Sequence, residues 1–498
     1  MNFDPSTLTV QPSPYQGLDL QFIDGTWRPG QSGRMAEDVD PYTGETLVRI
    51  ALASQADVDT AYVRAQAAQA DWALTTPDER TALLQRVIAI LDARAEEILS
   101  WIIRESGSTR IKAMIELSSA RAIVQESATF PGRASGLILP AAQRGQESRV
   151  YREPLGVVGV ISPWNFPFHL SMRSIAPALA LGNAVVLKPA SDTPVSGGTL
   201  LGKIFEEAGL APGLLNVVVG AGSEIGDFFV EHAVPSLISF TGSTEVGQRV
   251  GQAACGGSFL KRVALELGGN APMVVLDDAD VEAAAAATVF GRFLHQGQIC
   301  MSTNRVIVDA SIHGAFVEAL EARIAKLVVG NPDDLGTAIG PIINASQLAS
   351  VEEKIARARH DGARQVLGGP ATGNLLPPHL FVDVDPSWSI ARDETFGPVL
   401  PVLVAETEAR ALELANASHF GLSSAVFTRD FERGTRFARG IVVGMTHINS
   451  VTVDDQTNAP FGGEKNSGLG RFNGEWAIAE FTRTHWMTLQ QPAPAYPF

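Results

Sequence analysis

Between residues 157 and 266 the chain repeats one pattern, and no other feature limits its fold as strongly. Short apolar runs at 157–161, 184–187, 215–219, 237–240 and 263–265 alternate with helix-like stretches at 171–181, 194–208, 223–231 and 244–254. The runs are too short for buried helices and carry little polar alternation. They therefore read as strands covered on both faces, which a parallel sheet flanked by helices provides. The spacing predicts βαβ units and an α/β fold.

A second alternating series, from Met273 to about residue 448, predicts a further α/β unit. Ahead of the first series, Thr76-Pro77-Asp78-Glu79 reads as an N-cap, a proline at the first helical position and a capping-box glutamate. Leu83, Leu84, Val87, Ile88 and Leu91 follow at helical spacing. The turn-rich stretch 131–150 breaks the pattern. The strand formers of 482–490 are expected to pair with it or with another subunit.

Composition narrows the function classes. Apolar residues at 45% and charged residues at 18% fit a globular chain, and 498 residues suffice for two or three domains. No uncharged apolar run approaches the roughly 18 residues of a membrane span, and residues 1–20 lack the basic start of a secretory leader. Two cysteines, Cys255 and Cys300, give no disulfide framework, so a reducing, cytoplasmic setting is expected. A net charge of −16 without a basic cluster opposes nucleic-acid binding. Small-molecule chemistry is left as the expectation.

Three residues stand out as a reaction set. Cys300 ends Gly297-Gln298-Ile299-Cys300, Glu266 opens Glu266-Leu267-Gly268-Gly269-Asn270, and Asn165 lies in Pro163-Trp164-Asn165-Phe166-Pro167. A thiolate can add to a carbonyl carbon, an amide N–H can hold the resulting oxyanion, and a carboxylate can activate the water that frees the product. Phe240 runs into Thr241-Gly242-Ser243-Thr244-Glu245-Val246-Gly247, where a helix signal starts at once. Backbone N–H groups and a helix N-terminus meet a pyrophosphate in that context, although a plain strand-to-helix turn has the same spacing. Lys188 stands at a strand's carboxyl end, where open sheets bind ligands. Cys255, beside two glycines, reads as a buried structural thiol. No metal is expected.

The order PWNFP, KPA, FTGSTEVG, LELGGN, GQIC, ETFGP and FGGEKNSGLGR resembles the NAD(P)-dependent aldehyde dehydrogenase superfamily over residues from about 20 to 490. Longer runs around these motifs resemble its bacterial benzaldehyde and vanillin dehydrogenase branch. The resemblance implies a Rossmann-like parallel-sheet cofactor domain (20–130 and 151–265), a second α/β catalytic domain (266–477) and a small β oligomerisation element (131–150 and 478–495). A homodimer or homotetramer follows from the same resemblance. It implies Cys300 as nucleophile, Asn165 and the Cys300 backbone N–H as holders of the oxyanion, and Glu266 as the base that hydrolyses the thioester. NAD or NADP is then expected against Ile161, Ser162, Trp164, Lys188, Ser191, Gly220, Phe240, Gly242, Ser243, Gly247, Leu267, Glu394 and Phe396. Lys465 is expected in a loop closing near the catalytic centre. Amide dipoles and the cationic nicotinamide are expected to favour the thiolate.

Phe166, Leu170 and Arg173 share one face of the helix expected after Asn165 and should line the substrate tunnel, with Phe293, Ile299, Met301 and Phe461 as further walls. Such walls suit an aromatic aldehyde. Arg173 leaves three options open: stacking on an aromatic substrate, clamping a second carboxylate, or pairing with an acidic side chain of the protein. Where family members that prefer NAD commonly carry a glutamate, this chain has Ser191, so use of both cofactors is expected. An aliphatic aldehyde or semialdehyde dehydrogenase stays open. So do a cofactor-independent thiol esterase, which would need a base such as His295, and a homologue without the reaction.

Overall fold

The computed structural model describes residues 13–498, so residues 1–12 of the stretch read for a leader lie outside the described residues. The five apolar runs form the parallel centre of an eight-stranded sheet, in the order Leu215–Val217, Ala184–Lys188, Val157–Ile161, Leu237–Thr241, Arg262–Glu266. Gln21–Ile23 and Thr26–Arg28 extend one edge, and Gly468–Leu469 extends the other, all antiparallel. The helices between the strands are Pro167–Ala180, Leu200–Glu207 behind a π-helical turn at Val195–Thr199, Gly222–Glu231 and Thr244–Gly256. Val158, Val185, Val186, Leu187 and Ile238 are solvent-free, because helices cover both faces of the sheet. Chain order reverses at Val157–Ile161, whose next strands are added first on one side and then on the other. Loops leaving its carboxyl end and that of Leu237–Thr241 diverge there, and such a switch point opens a crevice.

The second alternating series folds into a seven-stranded sheet with Val399–Ala405, Thr303–Asp309 and Ala271–Val275 at its centre, parallel except at the edge strand Arg364–Leu367. Thr76 begins helix Pro77–Ala93 with both hydrogen bonds of a capping box in place, a device worth about 1 kcal/mol. Strand Gln146–Pro154 pairs along its length with Thr482–Gln490, and its other edge takes Leu137–Leu139. The turn-rich stretch thus finds the carboxyl-terminal strand, as expected. Among the described residues no helix is long and apolar enough to cross a membrane.

Candidate active site

Two cavities meet at the carboxyl edge of the first sheet. One, of about 260 Å³, is bordered by Pro163 and Trp164 beyond Val157–Ile161, by Gly242 and Ser243 beyond Leu237–Thr241, and by Glu394 and Phe396. The other, of about 230 Å³, is bordered by helix Pro167–Ala180 and the segments around Cys300 and Phe461. Asn165, Leu170 and Cys300 border both, so the thiol sits at the junction of two chambers.

Cys300 follows a short turn, Leu294–Gly297, in which His295, Gln296 and Gly297 are all left-handed, at φ 51°, 56° and 74°. For the two non-glycine residues this conformation costs roughly 1–3 kcal/mol each. Hydrogen bonds hold it in place. Gln296 Nε2 donates to Gly107 O (3.1 Å) and Pro341 O (2.9 Å), and Gln298 Oε1 accepts from the Ile343 N–H (3.1 Å). Fully buried Arg292 donates to Asn304 Oδ1 (2.9 Å) and Thr395 Oγ1 (2.5 Å), tying the preceding helix to the segment that carries Glu394 and Phe396. A β-carbon on Gly297 would collide with Gly397 O, so glycine is required there.

Asn165 Nδ2 donates to Gln298 O at 2.9 Å, which orients the amide beside Cys300. Its second N–H has no acceptor among the described residues and is available to a ligand. Burial pushes the Cys300 thiol up to about 12, with Glu394 adding to the rise and Arg173 opposing it. Burial likewise lifts Glu266 to about 8 against the pull of Arg173 and Arg471, and neither Glu266 oxygen has a hydrogen-bond partner among the described residues. In the chain alone burial therefore favours the protonated form of both groups. The Met301 N–H favours the thiolate, as expected of an amide dipole, but in the chain alone desolvation outweighs it.

Trp164, Gly242, Ser243, Leu267, Glu394 and Phe396 border the larger chamber. Trp164 and Phe396 meet edge to face, ring centroids 5.4 Å apart. Ser243 caps helix Thr244–Gly256 by accepting from the Val246 N–H, so the positive end of a helix dipole begins at the chamber wall. Glu394 accepts from the Gly269 N–H at 2.8 Å, and burial lifts its carboxyl to about 7. Gly268 leaves it room, since a β-carbon there would lie 2.7 Å from Glu394 Oε2. Aromatic faces, a half-buried acceptor and a helix N-terminus in one chamber fit the ring, ribose and pyrophosphate of a dinucleotide.

Other residues expected on the cofactor lie off this chamber. Ile161 pairs with Lys188 at the same carboxyl edge, and Ser162 accepts from Ser171 Oγ behind it. Lys188 is buried with one long bond, 3.4 Å to Pro189 O, and burial lowers its ammonium to about 8. Phe240 packs under Gly242, and Gly247 packs against Leu267. Gly220 abuts Ile225 ahead of helix Gly222–Glu231, and Ser191 is exposed; neither borders the chamber.

Phe166, Leu170, Arg173, Ile299, Met301 and Phe461 all border the smaller chamber. Phe293 does not. Helix Val281–Phe293 buries it in the core of the second sheet, and Phe290, nearly one turn earlier, supplies the wall instead. The Arg173 guanidinium lies 4.1 Å over the Phe461 ring centroid, and its Nη1 is 3.7 Å from Asp455 Oδ2. Of its three options, pairing within the protein is the one formed. Burial alone would raise the Asp455 carboxyl, but His169, Arg173 and Asn473 hold it below the ordinary range.

Lys465, Cys255 and His295 remain, and of these only the buried setting expected for Cys255 is corrected. Lys465 donates to Asn416 O and Ser418 O, at 3.2 Å each, and borders neither chamber, while its loop closes near the catalytic centre, as expected, through Gly462 and Ser467. A β-carbon on Gly462 would lie 3.0 Å from Glu266 Oε1, and Ser467 Oγ donates to Gly268 O at 2.7 Å. Cys255 is exposed, because it falls on the outward face at the end of its helix. His295 is buried, and burial and the Lys112 charge hold its pKa well below the ordinary value. Neither of its ring nitrogens has a partner among the described residues, so no cysteine–histidine pair exists with Cys300. Gln347 and Lys354 on the larger chamber, and His169, Phe290 and Asp455 on the smaller, were not legible in sequence. Only His169 carried a signal, its place next to Leu170 on the expected helix.

Residues 27–487 match the model of the aldehyde dehydrogenase family. The vanillin dehydrogenase of Corynebacterium glutamicum is 54% identical over 479 residues, 96% of this chain and 99% of that protein. The crystal structure of an NAD-dependent benzaldehyde dehydrogenase from Corynebacterium glutamicum aligns with a TM-score of 0.89 at 52% identity, covering 97% of this chain and 98% of that one. For a salicylaldehyde dehydrogenase from Pseudomonas putida G7 complexed with salicylaldehyde the TM-score is 0.93 at 35% identity, with 96% of this chain covered. Motifs, sheet order and these likenesses converge: the chain belongs to the aldehyde dehydrogenase family.

Proposed function

We propose that the protein oxidises aromatic aldehydes of the benzaldehyde and vanillin type to carboxylic acids with NAD or NADP. The observation that carries this reading is the junction at Cys300. One adjoining chamber fits a dinucleotide, and the other is walled by Phe166, Phe290, Ile299, Met301 and Phe461, a lining suited to a single flat ring. The names of the relatives, which act on vanillin, benzaldehyde and salicylaldehyde, support the same class. A semialdehyde is disfavoured. Asp454 and Asp455 border the substrate chamber, and Asp455 already engages Arg173, so a second carboxylate would meet repulsion instead of a free cation.

Cys300 Sγ, its proton released to water, attacks the carbonyl carbon, and the free N–H of the Asn165 amide together with the Cys300 backbone N–H holds the oxyanion of the thiohemiacetal. NAD or NADP, held by the residues that border the larger chamber, would supply the acceptor for the hydride of this carbon and a cationic ring that favours the thiolate. Glu266, in its ionised form, then takes a proton from water as the water attacks the thioester, and the acid departs as Sγ regains its proton. Trp164, Gly242, Ser243, Leu267, Glu394 and Phe396 would hold the dinucleotide in the larger chamber, with Gln347 and Lys354 added from helix Ala345–Asp361, and Ile161, Ser162 and Lys188 would meet its adenosine end beyond that chamber. The division into cofactor, catalytic and oligomerisation units belongs to this reading. So does assembly in the cytoplasm as a homodimer or homotetramer through the sheet of Gln146–Pro154 and Thr482–Gln490, where Leu137, Ile138 and Trp486 are exposed.

Initial rates with benzaldehyde, vanillin, succinic semialdehyde and a medium-chain aldehyde test the substrate class. The kcat/KM for an aromatic member should exceed that of the semialdehyde by at least about tenfold, roughly 1.4 kcal/mol. A semialdehyde or aliphatic aldehyde as best substrate contradicts the proposal. Cofactor choice has its own test. Ser191 offers no carboxylate, and Asp192 Oδ1 is engaged by Asn344 Nδ2 at 2.9 Å, so both cofactors should serve. A preference for NAD above roughly a thousandfold, about 4 kcal/mol, would contradict this.

A further inference from the structure

Lys112 and Glu116 are one turn apart on helix Arg110–Ser127, and both are completely buried. The Lys112 ammonium uses all three of its protons: on Ser108 Oγ (2.8 Å), on Glu116 Oε2 (2.5 Å) and on the backbone oxygen of Asn165 (2.6 Å). Its nitrogen also lies 4.0 Å from the centroid of the Phe166 ring. Glu116 Oε1 accepts from the backbone N–H groups of Phe168 (2.9 Å) and His169 (3.2 Å). Those are first-turn donors of helix Pro167–Ala180, whose own N-cap residue, Phe166, has no side chain able to satisfy them. The pair therefore grips the segment 165–169 at both ends. Asn165 is fixed twice, by Lys112 at its carbonyl and by Gln298 at its amide.

Burying an ion pair costs several kcal/mol of desolvation per ion, and replacing such a pair with apolar residues is often neutral or stabilising. Stability alone is thus a poor reason for this arrangement, whereas orientation is a good one. A displacement of about 1 Å in a positioned catalytic group can cost about a hundredfold in rate. We propose that Lys112 and Glu116 are positioning residues for the oxyanion site, setting the place of the Asn165 amide without touching substrate. This inference rests on the role of Asn165 given above.

A double-mutant cycle separates the two ideas. Single-turnover hydride transfer to NAD, dissociation constants for NAD and melting temperatures are measured for the parent, Lys112→Met, Asn165→Ala and the double variant. Lys112→Met should slow hydride transfer by about tenfold or more while NAD affinity stays within about twofold. Asn165→Ala should slow it by about 10²-fold or more. The double variant should be no slower than Asn165→Ala alone, within about twofold, because a residue that acts through the amide has nothing left to act on. Losses that multiply, or a Lys112→Met rate within twofold of the parent, overturn the inference. An Asn165→Ala enzyme at parental speed overturns instead the role of Asn165. If Lys112→Met is not recovered folded, Glu116→Gln takes its place in the cycle under the same two outcomes, since its amide oxygen keeps an acceptor for the Phe168 and His169 N–H groups.

Discussion

Cys300→Ser is expected to lower the rate of aldehyde oxidation by at least about a thousandfold, roughly 4 kcal/mol of barrier, and to leave NAD binding within about threefold of the parent. The same burial that lifts the thiol to about 12 lifts a serine hydroxyl further from a range it never shares with neutral pH. Sulfur is also the better nucleophile and forms the more readily hydrolysed ester. The cofactor chamber, in contrast, touches Cys300 as one of many wall residues, and Trp164, Glu394 and Phe396 are unchanged by the substitution. Absorbance of reduced nicotinamide gives the rate, and quenching of tryptophan fluorescence on titration with NAD gives the binding. A serine variant within tenfold of parental activity would remove the thiol from the mechanism.

Glu266→Gln should produce a different defect. Attack by Cys300 and hydride loss need no base at position 266, so one equivalent of reduced cofactor per site should form in a burst. Hydrolysis should then fall by about 10²–10⁴-fold, the range for loss of a positioned general base. The parent's pH dependence carries the sign. Burial raises the Glu266 carboxyl from its ordinary value to about 8, so below that pH it is protonated and cannot accept a proton from water. Where hydrolysis limits turnover, kcat should therefore rise with pH through about 8, and the glutamine variant should lack that limb. A glutamine variant with no burst and unchanged steady turnover contradicts the assignment.

The parallel sheet was legible because its strands are dry on both faces: runs such as Val157–Ile161 and Ala184–Lys188 have no polar phase to confuse with a helix. The capping box at Thr76 was legible because its two bonds are local. Asn165, Glu266 and Cys300 stood out because strand ends and glycine turns surround them. Long-range burial was not legible. Lys112 and Glu116, four apart on a helix, have the spacing of a solvated surface pair, and only folding shows them enclosed around the Asn165 carbonyl. Phe293 and Phe290 could not be ranked, since Val281–Phe293 is apolar over most of its circumference. The motif placed the loop of Lys465 near the centre, but not the bonds by which Lys465 ties that loop to Asn416 and Ser418. The upward push that burial gives the Cys300 thiol was hidden for a related reason, because desolvation depends on what encloses a group and not on its sequence neighbours.

Intact-mass spectrometry of Glu266→Gln after brief mixing with benzaldehyde and NAD, followed by peptide mapping, tests the covalent step most directly. One benzoyl group per chain should be found, on the peptide containing Cys300. A benzoyl group on Cys255, or turnover of the variant with no acylated protein at any time, would contradict a mechanism built on the thiol at the junction of the two chambers.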